Sequence, residues 1–415
     1  MYTGAIIRVP NELFDQAQAA PNNLEGVFET YGAQIASFVE LGLVVENSTD
    51  EIQGWMTHLL ATRNDKAHRF SLHFLPTIQC QLRCGYCFEN GGDRGKAMKP
   101  DVLDDAIVWL DSYLNEYPEV DQLRMVLFGG EPLLRPDICV NALAHVSNLC
   151  GKHNIEFWSE LVTNGELLTE EVARKLSLYA WRRVQITLDG PEKVHNIRRP
   201  GVNSRKTFRK IVRNIRMLLH SKYIPTVDIR LSFDLGNCDD IIEFLDELAT
   251  FGDVARINLS LGFITDTFVF GGDKNDPVVA SKALEFWAKA KRLGFTIPET
   301  QFSGPLCVAT AKHSAVLLPD GGLQKCFATA GRPEYNFSTV KVLPKGYAKD
   351  HHFEQWKRMD ECVAEKCSYL PVCGGGCPND AMVAASSIEG GASRYCQKTF
   401  LDQMNRGLVK IAFEK

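Results

Sequence analysis

The sequence predicts an α/β protein built on a parallel, partly closed (β/α)6 barrel of the TIM type, with a small helical preface before it and a cysteine-rich extension after it. Three observations carry this prediction. From Phe70 to about Ile264, six strand-like runs alternate with helix-like ones, the pattern of repeated β–α units on a parallel sheet. Three cysteines crowd into the loop that leaves the first strand-like run, and seven more fall from Cys307 to Cys396. The first 69 residues hold none.

Length and composition set the frame. A chain of 415 residues with 45% apolar content is long enough for two or three globular domains. We place them at 1–69 (preface), 70–300 (barrel) and 301–400 (cysteine-rich domain), with 401–415 as a tail. The opening MYTGAIIRVPNELFDQ lacks a charged region followed by an apolar core, and no apolar run reaches the length of a bilayer. A cytoplasmic protein with no membrane partner is expected. Thirteen cysteines in that setting read as metal ligands rather than a disulfide framework. A net charge of −5 gives no sign of a nucleic-acid partner.

In chain order, the preface run FETYGAQIASFVELGLVVENSTDEI reads as an amphipathic helix entering a short strand, because Ile35, Phe38 and Val39 recur at helical spacing. The barrel strands are SLHFLPTI, RMVLFG, IEFWSELVT, RRVQITLD, VDIRLSF and RINLSLGFI. Helices are expected at Pro100 to Tyr117, Thr207 to Leu219 and Val278 to Leu293. In the second of these, Phe208, Ile211, Val212, Ile215 and Leu218 form one stripe, which leaves Arg209, Lys210, Arg213 and Arg216 as a solvated outer face.

The first strand delivers Cys80, Cys84 and Cys87 in a CxxxCxxC spacing, with Tyr86 before the last. Three thiolates in one loop cannot all pair as disulfides. They suit an iron–sulfur cubane with one iron left open, whereas structural zinc normally takes four protein ligands. A zinc knuckle completed from elsewhere is the alternative. The stretch resembles the signature of the radical S-adenosylmethionine (SAM) superfamily. That resemblance implies a [4Fe–4S] cluster on these three cysteines, with the open iron chelating SAM, and cleavage of SAM to a 5′-deoxyadenosyl radical.

Further motifs fall at the ends of later strands, where a parallel barrel keeps its active site. Gly129, Gly130, Glu131 and Pro132 follow the second strand; two glycines let the backbone approach a ligand, and the carboxylate suits an ammonium. The motif resembles the family's SAM-amino-group motif, with Glu131 as partner of the methionyl ammonium. Thr163, Asn164 and Gly165 end the third strand. The run TLDGPEKVHNIRR after the fourth resembles a pattern in peptide- and sulfatase-modifying relatives, departing at Asn196, where they often carry Asp. Asp189 and Arg198 are candidates for SAM or substrate contact, with a turn carboxylate and a surface arginine as the structural alternatives. Arg230, Ser232 and Asn237 match positions that contact the SAM sugar and carboxylate in relatives.

The late cysteines resemble the SPASM extension of radical SAM enzymes. The interleaving that this resemblance implies puts Cys307, Cys326 and Cys377 on a first auxiliary [4Fe–4S] cluster and Cys362, Cys367, Cys373 and Cys396 on a second. The spacing departs from the pattern between Cys362 and Cys367, where Ala364 holds the usual cysteine place. Relatives that oxidise sulfatases have a further cysteine where this chain has His313, so the first cluster is completed by His313, by another residue, or keeps an open iron. Cys139, Cys150 and Cys238 read as buried free thiols.

The family resemblance implies an enzyme with three [4Fe–4S] clusters that takes hydrogen from a ribosomally made precursor peptide, fed by a low-potential donor such as flavodoxin or ferredoxin. Two auxiliary clusters favour oxidative cross-linking, as a thioether or a carbon–carbon bond. An anaerobic sulfatase-maturing enzyme, a small-molecule dehydrogenase and a non-enzymatic electron carrier or scaffold are the alternatives. The preface is read as a cap on the barrel or as part of a leader-peptide grip.

Overall fold

The computed structural model describes residues 68–89, 97–264, 275–298, 307–344, 358–377 and 396–413, together with helix α1 (Asn11–Ala19) and a few isolated positions. The helix and strand expected from the FETYGAQ run lie outside the described residues, apart from Tyr31 and Gly32, which are helical.

Six strands form the centre: β1 (Arg69–Phe74), β2 (Gln122–Leu127), β3 (Glu156–Thr163), β4 (Trp181–Leu188), β5 (Val227–Phe233) and β6 (Ile257–Phe263). Each pairs in parallel with the next. Between them run α2 (Pro100–Glu116), α3 (Pro136–His153), α4 (Glu170–Leu176), α5 (Glu192–Arg198), α6 (Phe208–His220) and α7 (Cys238–Leu248). All six expected strands are present, because each alternates apolar residues on one face with other residues on the second, a period that local reading detects.

Alternation along each strand divides the residues between two environments. One set, including Phe70, Leu72, Met125, Leu161, Ile186, Ile229 and Leu231, joins the main core with the helices. In α6, Phe208, Ile211, Ile215, Leu218 and Leu219 face that core, and each such burial contributes about 1.5–3 kcal/mol. The outer face is as expected: Arg209 pairs with Glu192 in solvent, a contact worth little.

The other set faces the barrel interior and is polar. Arg124 grips both oxygens of Glu160 at 2.7 Å; Arg183 lies 3.6 Å from Glu160 and pairs with Asp228; Asn258 donates to Asp228 at 2.9 Å. This row crosses β2 to β6. The strand ends beyond it carry the site.

The sheet also grows from its other edge. β7 (Ser314–Leu317) pairs in parallel with β1, and β8 (Gly322–Gln324) and β9 (Ser338–Thr339) follow antiparallel. Residues that the sequence assigns to the extension thus continue the barrel sheet. At the opposite edge, helix α8 (Pro277–Arg292) packs with the last helix, Lys398–Phe413, where Lys291 donates to the carbonyl of Ala412 at 3.1 Å. Phe400 from that helix meets Phe263 of β6 edge-on at 5.0 Å. Most of the expected tail is therefore helix laid over the β6 side.

Candidate active site

Three segments clamp the cysteine loop. From β2, Gly130 N–H donates to Thr77 O at 3.2 Å and Glu131 N–H to Gln79 O at 2.8 Å. The approach is so close that a Cβ on Gly129 would lie 2.3 Å from Thr77 O, and one on Gly130 2.2 Å from Ile78 O; Gly129 also has φ of +121°, so both positions require glycine. From the segment after α5, Arg83 N–H reaches Pro200 O at 2.7 Å and Val202 N–H reaches Gln81 O at 3.0 Å. From the end of β3, Asn164 and Glu166 accept from the Gln81 amide, both at 3.3 Å.

The three thiols are free and half-buried. Burial first, and Glu131 next, push Cys80 up to about 12; burial pushes Cys84 up to about 11 against the pull of Arg199. Without metal these two thiols stay protonated, and metal binding displaces the protons. Cys80 Sγ receives Leu82 N–H at 3.4 Å and the Asn164 side-chain amide at 3.7 Å. Sulfur acceptors in a half-buried loop beside a buried arginine fit an iron–sulfur cluster.

Tyr86 anchors the loop to the next strands. Its hydroxyl donates to Asp189 Oδ1 at 2.8 Å, lies 3.0 Å from Ser232 Oγ and accepts from Arg199 at 2.6 Å. Arg198 donates to Asp189 at 3.3 Å and to Asp234 at 2.7 Å, and Asn237 donates to the carbonyls of Asp189 and Ser232 at 3.2 and 2.8 Å. Burial raises the Asp189 carboxyl, opposed mainly by Arg199. Arg198 is 3% exposed, which corrects the surface-arginine alternative: two aspartates hold it inside. Arg230 shares this interior, its guanidinium lying where a Cβ on Gly262 would stand; burial lowers its pKa.

Glu131 is fully buried. Its carboxylate accepts from Leu133 N–H at 3.0 Å, Thr163 Oγ1 at 2.7 Å and Asn164 N–H at 2.8 Å, so it braces the end of β2 against the end of β3. Burial outweighs those donors and raises its pKa to about 7. Asn196, the departure from the relatives' pattern, accepts from Thr207 N–H at 2.9 Å and Phe208 N–H at 3.2 Å. It caps the start of α6 from another helix. His195 is buried against Thr207 and Phe208, and burial drives its pKa well down.

None of the seven late cysteines forms a disulfide. Cys307 and Cys326 flank β7 and β8. Phe327, next to Cys326, packs on Phe128 at 5.2 Å and Phe88 at 6.3 Å, and Phe88 is next to Cys87. The segment of Cys326 therefore meets the early cysteine loop. The unusual Cys362 to Cys367 spacing has a local reason: helix Arg358–Ala364 ends with Lys366 at φ +48°, and Cys367 N–H returns to Cys362 O at 2.9 Å, the hydrogen bond of a Schellman end. Left-handed Gly374, Gly375 and Gly376 then turn the chain between Cys373 and Cys377.

His313 is not placed to bind iron. Its Nδ1 lies 2.7 Å from Tyr113 OH and its Nε2 3.3 Å from Glu119, and the ring is 1% exposed. Both the ligand reading and the surface-histidine reading are corrected: it is a core histidine packed on α2. Cys139, Cys150 and Cys238 are buried as expected.

The family model described as the radical SAM superfamily matches residues 74–248. That stretch of the chain is a radical SAM domain. The chain is 25% identical over 284 residues to a GTP 3′,8-cyclase of Clostridium perfringens, a match that spans 66% of this chain and 77% of the relative. To a cysteine-type anaerobic sulfatase-maturating enzyme of the same species it is 28% identical over 137 residues, 32% of this chain and 36% of the relative. Among solved structures, native anSMEcpe with bound AdoMet and Cp18Cys peptide superposes with TM-score 0.58 at 22% identity, over 82% of this chain and 98% of that one. Streptococcus suis SuiB bound to precursor peptide SuiA gives 0.53 at 15% identity, over 90% and 88%. These likenesses show the shared fold.

Sequence reading of this site missed Arg199, Asp234, Gln81 and Glu166. The paired arginines of NIRRP were a usable signal for the first. Nothing local marks the others, whose partners lie on different strands.

Proposed function

We propose that this chain is a radical SAM enzyme that matures a ribosomally made precursor peptide by oxidative cross-linking. Cys80, Cys84 and Cys87 would hold the radical cluster, which when bound supplies the electron that cleaves SAM to the hydrogen-abstracting 5′-deoxyadenosyl radical. The SAM methionyl group would lie against the Gly129–Pro132 turn, and Asp189, Arg198, Arg230 and Ser232 line the part of the interior assigned to the rest of SAM. Burial of that polar ring keeps bulk water from the reacting carbon.

The observation that carries the reading is the meeting of the Cys326 segment with the early cysteine loop through Phe88, Phe128 and Phe327. Two auxiliary [4Fe–4S] clusters, on Cys307, Cys326 and Cys377 and on Cys362, Cys367, Cys373 and Cys396, would stand beside the radical site and accept an electron from the substrate radical. Flavodoxin or ferredoxin would supply the priming electron. The peptides bound to anSMEcpe and SuiB support a peptide substrate.

The sulfatase-maturating relative supports a second reading, oxidation of a Cys or Ser to formylglycine. Reconstituted enzyme with SAM, reductant and a short cysteine-containing peptide encoded beside its gene separates the two by mass spectrometry. Loss of two hydrogen atoms with the sulfur retained is the expected product. Formylglycine on a sulfatase-type peptide, with no change in the neighbouring peptide, would replace the proposal with the second reading.

A further inference from the structure

We propose that Asn164 is a positioning residue for the radical cluster: its side-chain amide donates to the Cys80 sulfur and so sets the potential at which that cluster accepts its electron. The inference rests on Cys80 being an iron ligand.

The orientation of the amide is fixed by its neighbours. Asn164 Oδ1 accepts from Glu166 N–H at 2.9 Å and from Gln81 Nε2 at 3.3 Å. With the oxygen committed to two donors, the NH2 end is the one that faces Cys80 Sγ, at 3.7 Å. Gln81 is itself held by Glu166 at 3.3 Å. The backbone of Asn164 is held separately, its N–H donating to Glu131 Oε2 at 2.8 Å while Thr163 donates to Oε1. Asn164 is 5% exposed, so water does not compete for the sulfur from that side.

The chemistry follows from charge. Reduction adds one electron, supplied by the low-potential donor, and makes the cluster and its sulfur ligands more negative. An N–H aimed at a ligand sulfur stabilises the reduced form more than the oxidised one and raises the potential. Among the described residues, Cys80 has two such donors, Leu82 N–H and Asn164. Leu82 is adjacent in the loop and exists in any loop of this shape. Asn164 comes from the end of β3 and is placed by Glu131. The buried carboxylate of the glycine motif thereby also aligns the donor to the sulfur.

The experiment uses the reconstituted full-length protein and the EPR signal that changes when SAM is added. With asparagine labelled by 15N in the side chain, pulsed EPR of the reduced wild-type protein should show a 15N coupling that is lost in Asn164→Ala. A wild-type spectrum without that coupling overturns the proposal whether or not any variant folds. In a redox titration of the same signal, Asn164→Ala should lower the reduced-to-oxidised ratio at fixed poise by about threefold to tenfold, tenfold being ~59 mV for one electron. Asn164→Asp, which turns a carboxylate oxygen to the sulfur, should lower it further, and Gln81→Ala less. A purely structural role would reduce iron content while leaving the midpoint of the assembled clusters unchanged, and that result would also overturn it. If the SAM-responsive signal survives in Cys80→Ala, the assignment of Cys80 fails instead.

Discussion

Tyr86 in the cysteine loop and Asp189 at the end of β4 are joined at 2.8 Å across 103 residues of chain. This contact, with Arg199 donating to the same hydroxyl, is what sets the loop of Cys84 and Cys87 over strands β4 and β5. Tyr86→Phe removes the hydroxyl and leaves Arg199 and Asp189 each one partner short inside the protein. A loss of about 1–3 kcal/mol in unfolding free energy is expected, read by denaturant melts of the apo-protein. Weaker SAM binding should accompany it, and an unchanged SAM affinity would separate the anchor from the site.

Gly130→Ala should abolish assembly at the cysteine loop, because the new Cβ would fall 2.2 Å from Ile78 O and 2.4 Å from Gln79 O, both backbone atoms that cannot step aside. Gly151→Ala is the matched control. Gly151 lies in α3 with nothing within 4 Å of the added Cβ, so it should stabilise by roughly 0.5–1 kcal/mol. Iron content after identical reconstitution distinguishes the two.

Asn196→Ala should cost about 1 kcal/mol by leaving the first amides of α6 without their acceptor. Asn196→Asp should restore the cap. SAM cleavage by the Asp variant at the wild-type rate is expected of a cap, whereas a marked gain in rate would indicate a proton-transfer role.

The strands and the two cysteine groups were legible because each depends on short-range pattern. Six runs with an apolar face at strand period announce six strands, and α6 shows its stripe from Phe208 to Leu218. What could not be read is tertiary. Asn196 looks like a lost carboxylate until Thr207 and Phe208 are seen to use it. Arg198 looks like a surface residue until Asp189 and Asp234 close on it from two strands. His313 sits at a cluster-ligand position by spacing, yet its ring turns to Tyr113 and Glu119 beside α2, which no sequence interval encodes.

His73 on β1 faces the interior, and burial, helped by Arg124, holds its pKa at about 4 rather than 6.5. A depressed histidine pKa stabilises the fold fully above 6.5 and loses that contribution as pH falls from 6.5 towards 4, since the unfolded chain binds the proton first. Glu131, raised to about 7, gives the opposite slope from 4.5 to 7, so the difference between wild type and His73→Gln isolates the histidine. That difference should reach on the order of 3 kcal/mol across the window. Parallel pH curves for the two proteins would show that His73 does not titrate differently on folding.

The most direct measurement is an anaerobic count of iron with SAM cleavage in wild type and in the Cys80→Ala, Cys84→Ala, Cys87→Ala variant. Three clusters predict about twelve irons in the wild type falling to about eight in the variant, with cleavage of SAM lost. About four irons in the wild type, the same number in the variant, and no response to SAM would contradict the account.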